Sequence, residues 1–295
     1  MHLTQSKKTL GHSWRFDALG TSWEIASSSE LTSSLRKKIT QLIDSFDGTY
    51  SRFREDSLVS SVAQEAGAYT FPESAKVLFD FYDVLYDATN GQVTPFVGGT
   101  LEDLGYDKAY SLRQKQQIRQ VPNYKQLLVR SGARMTFKHP ALLDIGAIGK
   151  GYLVDRISDE LANAGHTHYI VDGSGDMRVV GETNEMIGLE DPRETGKVIG
   201  IVSLRDQSLC ASAVNKRAWN GLHHVIDPST SRPSVGVLAT WVVADSTMIA
   251  DGLATALFFS EPKKLQAHYN YEYIRMHANG SIEYSDFFKE ALERV

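Results

Sequence analysis

The sequence predicts an α+β fold. Stretches in which apolar residues recur at helical spacing are interleaved with short segments rich in β-branched and aromatic residues, and no regular βαβ period connects them. No internal repeat, low-complexity segment or linker divides the 295 residues. We therefore expect one domain over residues 1–295, with its core at about 15–290, rather than a doubly wound parallel sheet.

Four elements are expected in the first half of the chain. Helical spacing predicts helices at Glu30–Phe46, behind serines that can cap the start, and at Ser74–Ala88. The apolar segment Leu143–Ile145 is typical of a strand. A third helix should start near Ile148 and reach a C-terminal stop at Gly165.

The second half is expected to hold strands and one more helix. Short β-branched or aromatic runs predict strands at His168–Val171, Val198–Leu204, Ala239–Val243 and Tyr273–His277. The last helix of the chain is expected at Asp245–Phe259, because a proline follows soon after it.

The composition excludes a general attraction to polyanions. Hydrophobic residues make up 42% of the chain and charged residues 23%, as in a globular protein with a substantial core. The net charge of −5 and the pI near 6.0 provide no basic field for nucleic acid or an anionic membrane surface. A phosphate-bearing ligand would therefore be held by local groups such as backbone amides, a few cations or a metal ion.

The single cysteine, Cys210, excludes an intramolecular disulfide and a cysteine-based metal cluster. The N-terminal residues contain no apolar run of signal-peptide length and no early cysteine for lipid attachment. No segment approaches the ~18 to 20 apolar residues that span a bilayer. We expect a cytoplasmic protein with no membrane segment.

The glycine-rich segment Asp144–Tyr152 (D-I-G-A-I-G-K-G-Y) is a candidate phosphate site. Its glycines let the backbone approach a ligand closely, the helix N-terminus favours an anion, and Lys150 adds a mobile cation. It matches neither a P-loop nor a dinucleotide fingerprint, so an ordinary tight turn remains the alternative.

A second candidate lies inside the helix predicted at Asp245–Phe259. Asp251 and Thr255 are four residues apart, so their oxygens share one helix face and suit Mg²⁺. The alternative is an exposed aspartate beside a threonine that bonds back to its own helix. Gly252 costs up to ~1 kcal/mol relative to alanine in a helix, which indicates that a neighbour needs the space.

Two adjacent histidines, His223 and His224, precede a proline turn at Asp227 and are candidates for a general base. The spacing to Asp227 favours His224, although a structural histidine remains the alternative. Three smaller clusters, Ser51–Arg54, Thr94–Gly98 and Asp172–Arg178, are read equally well as a solvated charged loop, a turn and a glycine-rich hairpin.

Taken together and in order from Leu19 to Thr255, these segments resemble the ApbE family of FAD:protein FMN transferases. The resemblance rests on seven motifs, among them S-R-F at 51–53, the glycine-rich segment, H-V-I-D-P at 224–228 and A-D-G-L-A-T-A at 250–256. It implies an ApbE/T-fold-like architecture, with a mainly antiparallel sheet and flanking helices.

The resemblance also implies roles for single residues. His224 would be the catalytic base, and the metal Mg²⁺ would be held by the carbonyl of Ala147 with the side chains of Asp251 and Thr255. FAD would be bound by Leu19, Phe53, Gln92, Val93, Thr94, Asp144, Lys150, Ser212 and Ile226.

Four positions depart from the family pattern. Thr94 stands where aspartate is common, Asp172 where asparagine is usual, and Ser231 where glycine normally follows the threonine. Phe53 replaces the tyrosine of some members, which keeps a stacking face and loses a hydroxyl. The lipoprotein signal of many members is not seen, so we expect an intracellular acceptor.

The implied activity is Mg²⁺-dependent transfer of FMN from FAD to a threonine or serine hydroxyl of an acceptor flavoprotein, with release of AMP. The acceptor would be a reductase or electron-transfer subunit that carries a flavinylation motif. This chain has no convincing copy of that motif, so self-modification is not expected. Two alternatives remain open: an FAD pyrophosphatase that releases FMN and AMP, and an FAD-binding protein without catalysis.

Overall fold

An antiparallel sheet of eight strands forms the centre of the molecule, whose computed structural model describes residues 10–293. The first nine residues, part of the segment in which no leader was expected, lie outside this range. In spatial order the strands are β1 (His12–Ala18), β2 (Thr21–Ser27), β6 (Tyr169–Asp172), β7 (Asp176–Val180), β10 (Ser208–Ala213), β15 (Val237–Ala244), β16 (Glu272–His277) and β17 (Ile282–Tyr284).

The two faces of this sheet contribute to two separate hydrophobic cores. Successive residues of a strand point to opposite faces. Ile25 and Val242 accordingly pack into the larger core, whereas Ala26 and Trp241 pack into the smaller one. The sheet is thus covered on both sides.

Helices cover the face of the larger core, which includes residues of α1, α3, α6 and α7. Thr32, rather than one of the preceding serines, caps α1 by accepting from the Leu35 amide. The helices are α1 (Ser33–Tyr50), α2 (Leu58–Gln64), α3 (Ser74–Ala88), α4 (Gly98–Asp103), α5 (Tyr124–Leu127), α6 (Gly149–Asn163), α7 (Thr247–Ala256), α8 (Pro262–Gln266) and α9 (Lys289–Glu293). Within residues 10–293, none of them combines the length and apolar character needed to cross a bilayer.

A hairpin and the C-terminal helix contribute to the smaller core on the opposite face. Ile187 and Val202 come from this hairpin and Ala291 from α9. The hairpin strands are β8 (Glu185–Glu190) and β9 (Val198–Leu204). The remaining strands are β3 (Gly67–Thr70), β4 (Leu128–Ser131) and β5 (Arg134–Phe137) in a small sheet, and the short pairs β11 (Ala218–Trp219) with β12 (Leu222–His223) and β13 (Ile226–Asp227) with β14 (Arg232–Pro233).

The predicted α+β class is confirmed, and two elements have the predicted bounds, the helix Ser74–Ala88 and the strand Val198–Leu204. Two predictions are wrong. The segment Leu143–Ile145 forms no strand. The Asp144 amide donates a hydrogen bond to the Pro95 carbonyl, but the neighbouring residues do not extend this contact into the ladder of hydrogen bonds that defines a paired strand. The helix predicted at Asp245–Phe259 spans only Thr247–Ala256, and α8 and α9 follow it.

Candidate functional site

The glycine-rich turn is held in place by the Asp144 side chain. One carboxylate oxygen accepts from the Gly146 amide at 2.7 Å, and the other accepts from Arg52 Nε at 2.6 Å. Burial pushes the pKa of Asp144 upward, but the Arg52 guanidinium outweighs it, so the pKa lies below its usual value. Asp144 therefore stays ionised and fixes the entry into α6.

Arg52 lies in the loop Ser51–Arg54, and one interpretation of that loop was a solvated charged surface. Its side chain is only 2% exposed and also donates from Nη1 to the Tyr106 carbonyl at 2.8 Å. Arg54, two residues on, is 40% exposed and pairs with surface carboxylates. The solvated-loop interpretation holds for Arg54 and is wrong for Arg52.

The helix α7 places Asp251 against the start of α6. The Asp251 carboxylate is buried and accepts from the Gly151 amide at 2.9 Å. A Cβ on Gly151 would lie 2.3 Å from the Thr247 carbonyl oxygen, so the two helices touch through their backbones. Close packing also explains the glycine at position 252, since a Cβ there would lie 2.5 Å from the Phe81 ring.

The Asp155 carboxylate of α6 also holds the start of α7, by accepting from the Thr247 amide at 2.8 Å and the Met248 amide at 2.9 Å. Hydrogen bonds from α6 to α7 thus run in both directions. The glycine-rich turn and Asp251 are parts of one packed unit.

Lys150 is not the mobile cation expected from the sequence. Its ammonium forms an ion pair with Asp176 on β7, where the two side chains are 16% and 1% exposed. Burial lowers the pKa of Lys150, but Asp176 and Asp251 outweigh it and raise the pKa above its usual value. The two carboxylates hold this cation in place.

The two histidines occupy different environments. His223 Nε2 lies 3.0 Å from the Ser234 carbonyl oxygen, an arrangement that suits a protonated Nε2, and His223 does not line the cavities described below. His224 lines the first cavity, and its Nδ1 is buried without a hydrogen-bond partner. Burial, followed by the charge of Arg217, lowers the pKa of His224 to about 3. His224 is therefore neutral near pH 7.

The candidate residues line two adjoining cavities, each with about 1130 Å³ of empty space that includes some open solvent. The first cavity is lined by eleven of the candidates: Gln92, Val93, Thr94, Asp144, Ala147, Lys150, Ser212, His224, Ile226, Asp251 and Thr255. The second cavity is lined by Leu19, Phe53, Asp144 and Lys150.

Six residues line both cavities and form what we call the junction. They are Thr21, Tyr106, Asp144, Gly146, Lys150 and Arg217. Sequence reasoning proposed no role for Tyr106 or Arg217, and no motif weighed above contains either residue. The short helical turn Val214–Arg217 and the loop after α4 bring them to the junction, so only the tertiary structure identifies them.

The residues present fit FAD and Mg²⁺. Buried polar atoms without hydrogen-bond partners line both cavities, among them Gln92 Oε1 in the first and Arg52 Nη2 in the second. Within residues 10–293 no three His, Cys, Asp or Glu side chains cluster as a metal site. Ala147, Asp251 and Thr255 nevertheless line one cavity, and they offer the carbonyl, carboxylate and hydroxyl oxygens that suit Mg²⁺.

The protonation of Asp251 points the same way. Burial and the neighbouring Asp176 carboxylate raise the pKa of Asp251 well above its usual value. A divalent cation bound beside Asp251 would counter both effects and keep the carboxylate ionised. The roles assigned to the single residues remain predictions.

A family model and two relatives of known name point to the same family. A model of the ApbE family matches residues 19–277. The chain is 30% identical over 218 residues to an FAD:protein FMN transferase of Rhodobacter capsulatus, covering 68% of this chain and 41% of that protein. It is 27% identical over 298 residues to an FAD:protein FMN transferase of Haemophilus influenzae, covering 90% of this chain and 82% of that protein. The chain therefore spans less than half the length of the Rhodobacter relative and most of the Haemophilus one.

Solved structures share the fold. The ApbE protein of Thermotoga maritima superposes with a TM-score of 0.81 at 24% identity, covering 94% of this chain and 98% of that one. The flavin transferase ApbE of Vibrio cholerae superposes with a TM-score of 0.76 at 21% identity, covering 95% and 99%. Since the family model spans most of the residues, the resemblance seen in the sequence is confirmed and the chain belongs to the ApbE family.

Proposed function

We propose that this protein is an FAD:protein FMN transferase that moves FMN from FAD onto a threonine or serine hydroxyl of an acceptor flavoprotein, with Mg²⁺ bound and AMP released. The names of its curated relatives support the activity. The observation that carries the proposal is the pair of cavities that meet at a charged junction. A dinucleotide has two ring systems joined by a diphosphate, and this arrangement would offer each ring a cavity with the diphosphate between them.

The chain's residues divide the work of binding. Phe53 lines the second cavity, where its ring stacks on Tyr110 with centroids 5.4 Å apart and lies under the Arg52 guanidinium. Gln92 and Ile226 line the first cavity, where the other ring would lie. The ion pairs Arg52–Asp144 and Lys150–Asp176 fix the walls between them. Such positioning of the reacting groups supplies much of the rate in phosphoryl transfer.

The reaction forms one phosphorus–oxygen bond and breaks another. The acceptor hydroxyl oxygen attacks the phosphorus on the FMN side of the diphosphate, and the bond to the bridging oxygen breaks, so AMP leaves with that oxygen. Mg²⁺, held by Ala147, Asp251 and Thr255, would neutralise the charge that develops on the diphosphate.

His224 accepts the proton of the attacking hydroxyl. Its ring lines the first cavity, and its Nδ1 is buried without a hydrogen-bond partner. Because burial and the Arg217 charge lower its pKa to about 3, the imidazole is unprotonated at neutral pH, and an anionic diphosphate bound beside it would raise the pKa toward the range of an effective base. A base of this kind contributes typically ~10²- to 10⁴-fold to the rate.

The test is covalent transfer measured by mass spectrometry. The parent, incubated with FAD, Mg²⁺ and an acceptor domain, should raise the acceptor's mass by that of FMN, and Asp251→Ala should abolish the gain, because the buried carboxylate is the only charged ligand proposed for the metal. Asp159→Ala, which removes an exposed carboxylate of α6, is the matched control and should transfer at the parent's rate.

Two results would contradict the proposal. A folded Asp251→Ala variant that transfers FMN as fast as the parent would exclude the metal assignment. Release of FMN and AMP by the parent without modification of any acceptor would identify a pyrophosphatase instead.

A further inference from the structure

The cavities are lined by five cationic side chains, and four of them are already paired with carboxylates of the protein. Arg52 pairs with Asp144, Arg54 with Asp47 and Asp56, Lys150 with Asp176, and Lys216 with Glu190. Arg217 is the exception: in the described part of the chain its guanidinium makes no ion pair or side-chain hydrogen bond. The structure therefore leaves one cation at the site without a direct carboxylate partner.

Arg217 also has a special position, because it lies at the junction. Its charge reaches the groups around it, since it contributes to lowering the pKa of His224 and opposes the rise in the pKa of Asp251. A partly exposed guanidinium between two cavities presents a planar set of donors, which matches a phosphate.

The backbone of the glycine-rich turn leaves much of the anion's charge to side chains. The Gly146 amide donates to Asp144, the Gly149 amide to the Ile145 carbonyl, and the Gly151 amide to Asp251. These amides are occupied and cannot also cradle a phosphate. A cationic side chain at the junction would therefore supplement Mg²⁺ in binding a diphosphate, and Lys150 is already paired with Asp176.

We propose that Arg217 binds the diphosphate of FAD at the junction of the two cavities. The inference rests on the proposed function for the identity of the ligand, and it assigns the diphosphate contact to a residue outside the seven motifs that carry the resemblance. Arg217 acts by binding and orienting the diphosphate and takes no part in proton transfer.

The test measures FAD binding without metal or acceptor, by titration in EDTA at several salt concentrations. Arg217→Met should weaken FAD binding by about ten- to a hundred-fold, the loss expected when a charge-assisted hydrogen bond is removed. It should also flatten the dependence of affinity on salt, since one charge contact is gone. Riboflavin has no phosphate, so the riboflavin affinity of Arg217→Met should stay within about twofold of the parent's, because the cavity walls are unchanged.

Two further variants complete the design. Arg217→Lys keeps the charge and loses the planar donors, so its affinity for FAD should fall between those of the parent and Arg217→Met. Arg205→Met removes an exposed arginine outside both cavities, and it should bind FAD as the parent does.

Three results would overturn the inference: unchanged FAD affinity in Arg217→Met, an equal loss for riboflavin, or a raised KM for the acceptor alone, which would assign Arg217 to an acceptor carboxylate. Failure of the proposed function looks different. In that case FAD binding would depend on Arg217, but no acceptor would gain the mass of FMN when Mg²⁺ is supplied.

Discussion

Ser231 shows at the scale of one residue how the chain accommodates a departure from its family. Its φ is 52°, in the left-handed region that favours glycine, which explains why glycine is usual there. The side chain partly offsets the strain, because Oγ accepts from the Val121 amide at 3.0 Å and donates to Gln120 Oε1 at 3.1 Å. The hydroxyl ties the histidine loop to the segment before α5.

We expect Ser231→Gly to be more stable than Ser231→Ala by about 1 kcal/mol. Both variants lose the same two hydrogen bonds, but only glycine relieves the backbone strain. Urea unfolding of the two variants beside the parent measures the difference. Equal free energies of unfolding would show that the positive φ is not a source of strain.

His224 should make stability depend on pH. In the unfolded chain its pKa is near 6.5, whereas burial lowers it to about 3 in the fold. Between these values the unfolded state binds a proton that the folded state does not, so stability falls as the pH falls below 6.5. Because His224 faces a cavity open to water, we expect a loss of about 1 to 2 kcal/mol between pH 7 and pH 5.

The measurement compares the parent with His224→Gln by urea unfolding at the two pH values. The variant lacks the titrating imidazole, so the parent should lose more free energy of unfolding than the variant on acidification. A difference between the two proteins that stays constant from pH 7 to pH 5 would argue that His224 is not held neutral.

At the scale of elements, the contact between α6 and α7 brings the glycine-rich turn to the carboxylate. Gly151 allows the approach, and Asp155 and Asp251 each accept amide hydrogen bonds from the other helix. The elements are rigid partners because their backbones, rather than long side chains, are in contact.

Gly151→Ala should therefore lower the free energy of unfolding by about 2 to 3 kcal/mol, since the new methyl group meets the Thr247 backbone. Gly48→Ala in α1 is the matched control, because nothing lies within 4 Å of its Cβ position. That variant should be more stable by up to about 1 kcal/mol from helix propensity alone. Thermal and urea unfolding of both variants gives the comparison, and two changes of the same sign would contradict it.

Local periodicity was sufficient to predict the bounds of elements whose apolar pattern follows the helical or strand period. The helix Ser74–Ala88 buries one regular face, and the strand Val198–Leu204 alternates along its length. Leu143 and Ile145 are apolar and buried, and only their surroundings determine that the segment has no strand partner. The five-residue helices α8 and α9 are too short to carry a periodic signal.

At the scale of the whole molecule, the central sheet carries both hydrophobic cores. Neighbouring residues such as Trp241 and Val242 belong to opposite cores, so neither core can be lost while the sheet remains intact. One domain is predicted from the sequence, and this shared sheet supports that proposal.

We expect a single cooperative unfolding transition for the whole chain. Far-UV circular dichroism and tryptophan fluorescence should give coincident curves, because secondary structure and both cores are lost together. Two separated transitions in calorimetry would mean that one layer unfolds independently of the other. Bound FAD should raise the midpoint of the transition in proportion to its affinity.

Only those residues of the candidate site that lie in sequence motifs could be predicted. All thirteen residues named from the sequence line the two cavities, since each lies in a segment with a recognisable local pattern. Arg52 and Asp176 were seen in the sequence, but their burial was not, because the partners of these two residues are distant in the chain. Arg217 and Tyr106 have no local signature at all, and the folded chain alone brings them to the junction.

The bare backbone contact at Gly151 also bears on how the family can vary. A gap filled by side chains widens or narrows whenever one of them is exchanged, but here the spacing between turn and carboxylate is fixed by peptide geometry. Core residues elsewhere can therefore change in size during evolution without altering the distance between the glycine-rich turn and the Asp251 carboxylate. A single methyl group at position 151 has no neighbour able to absorb it.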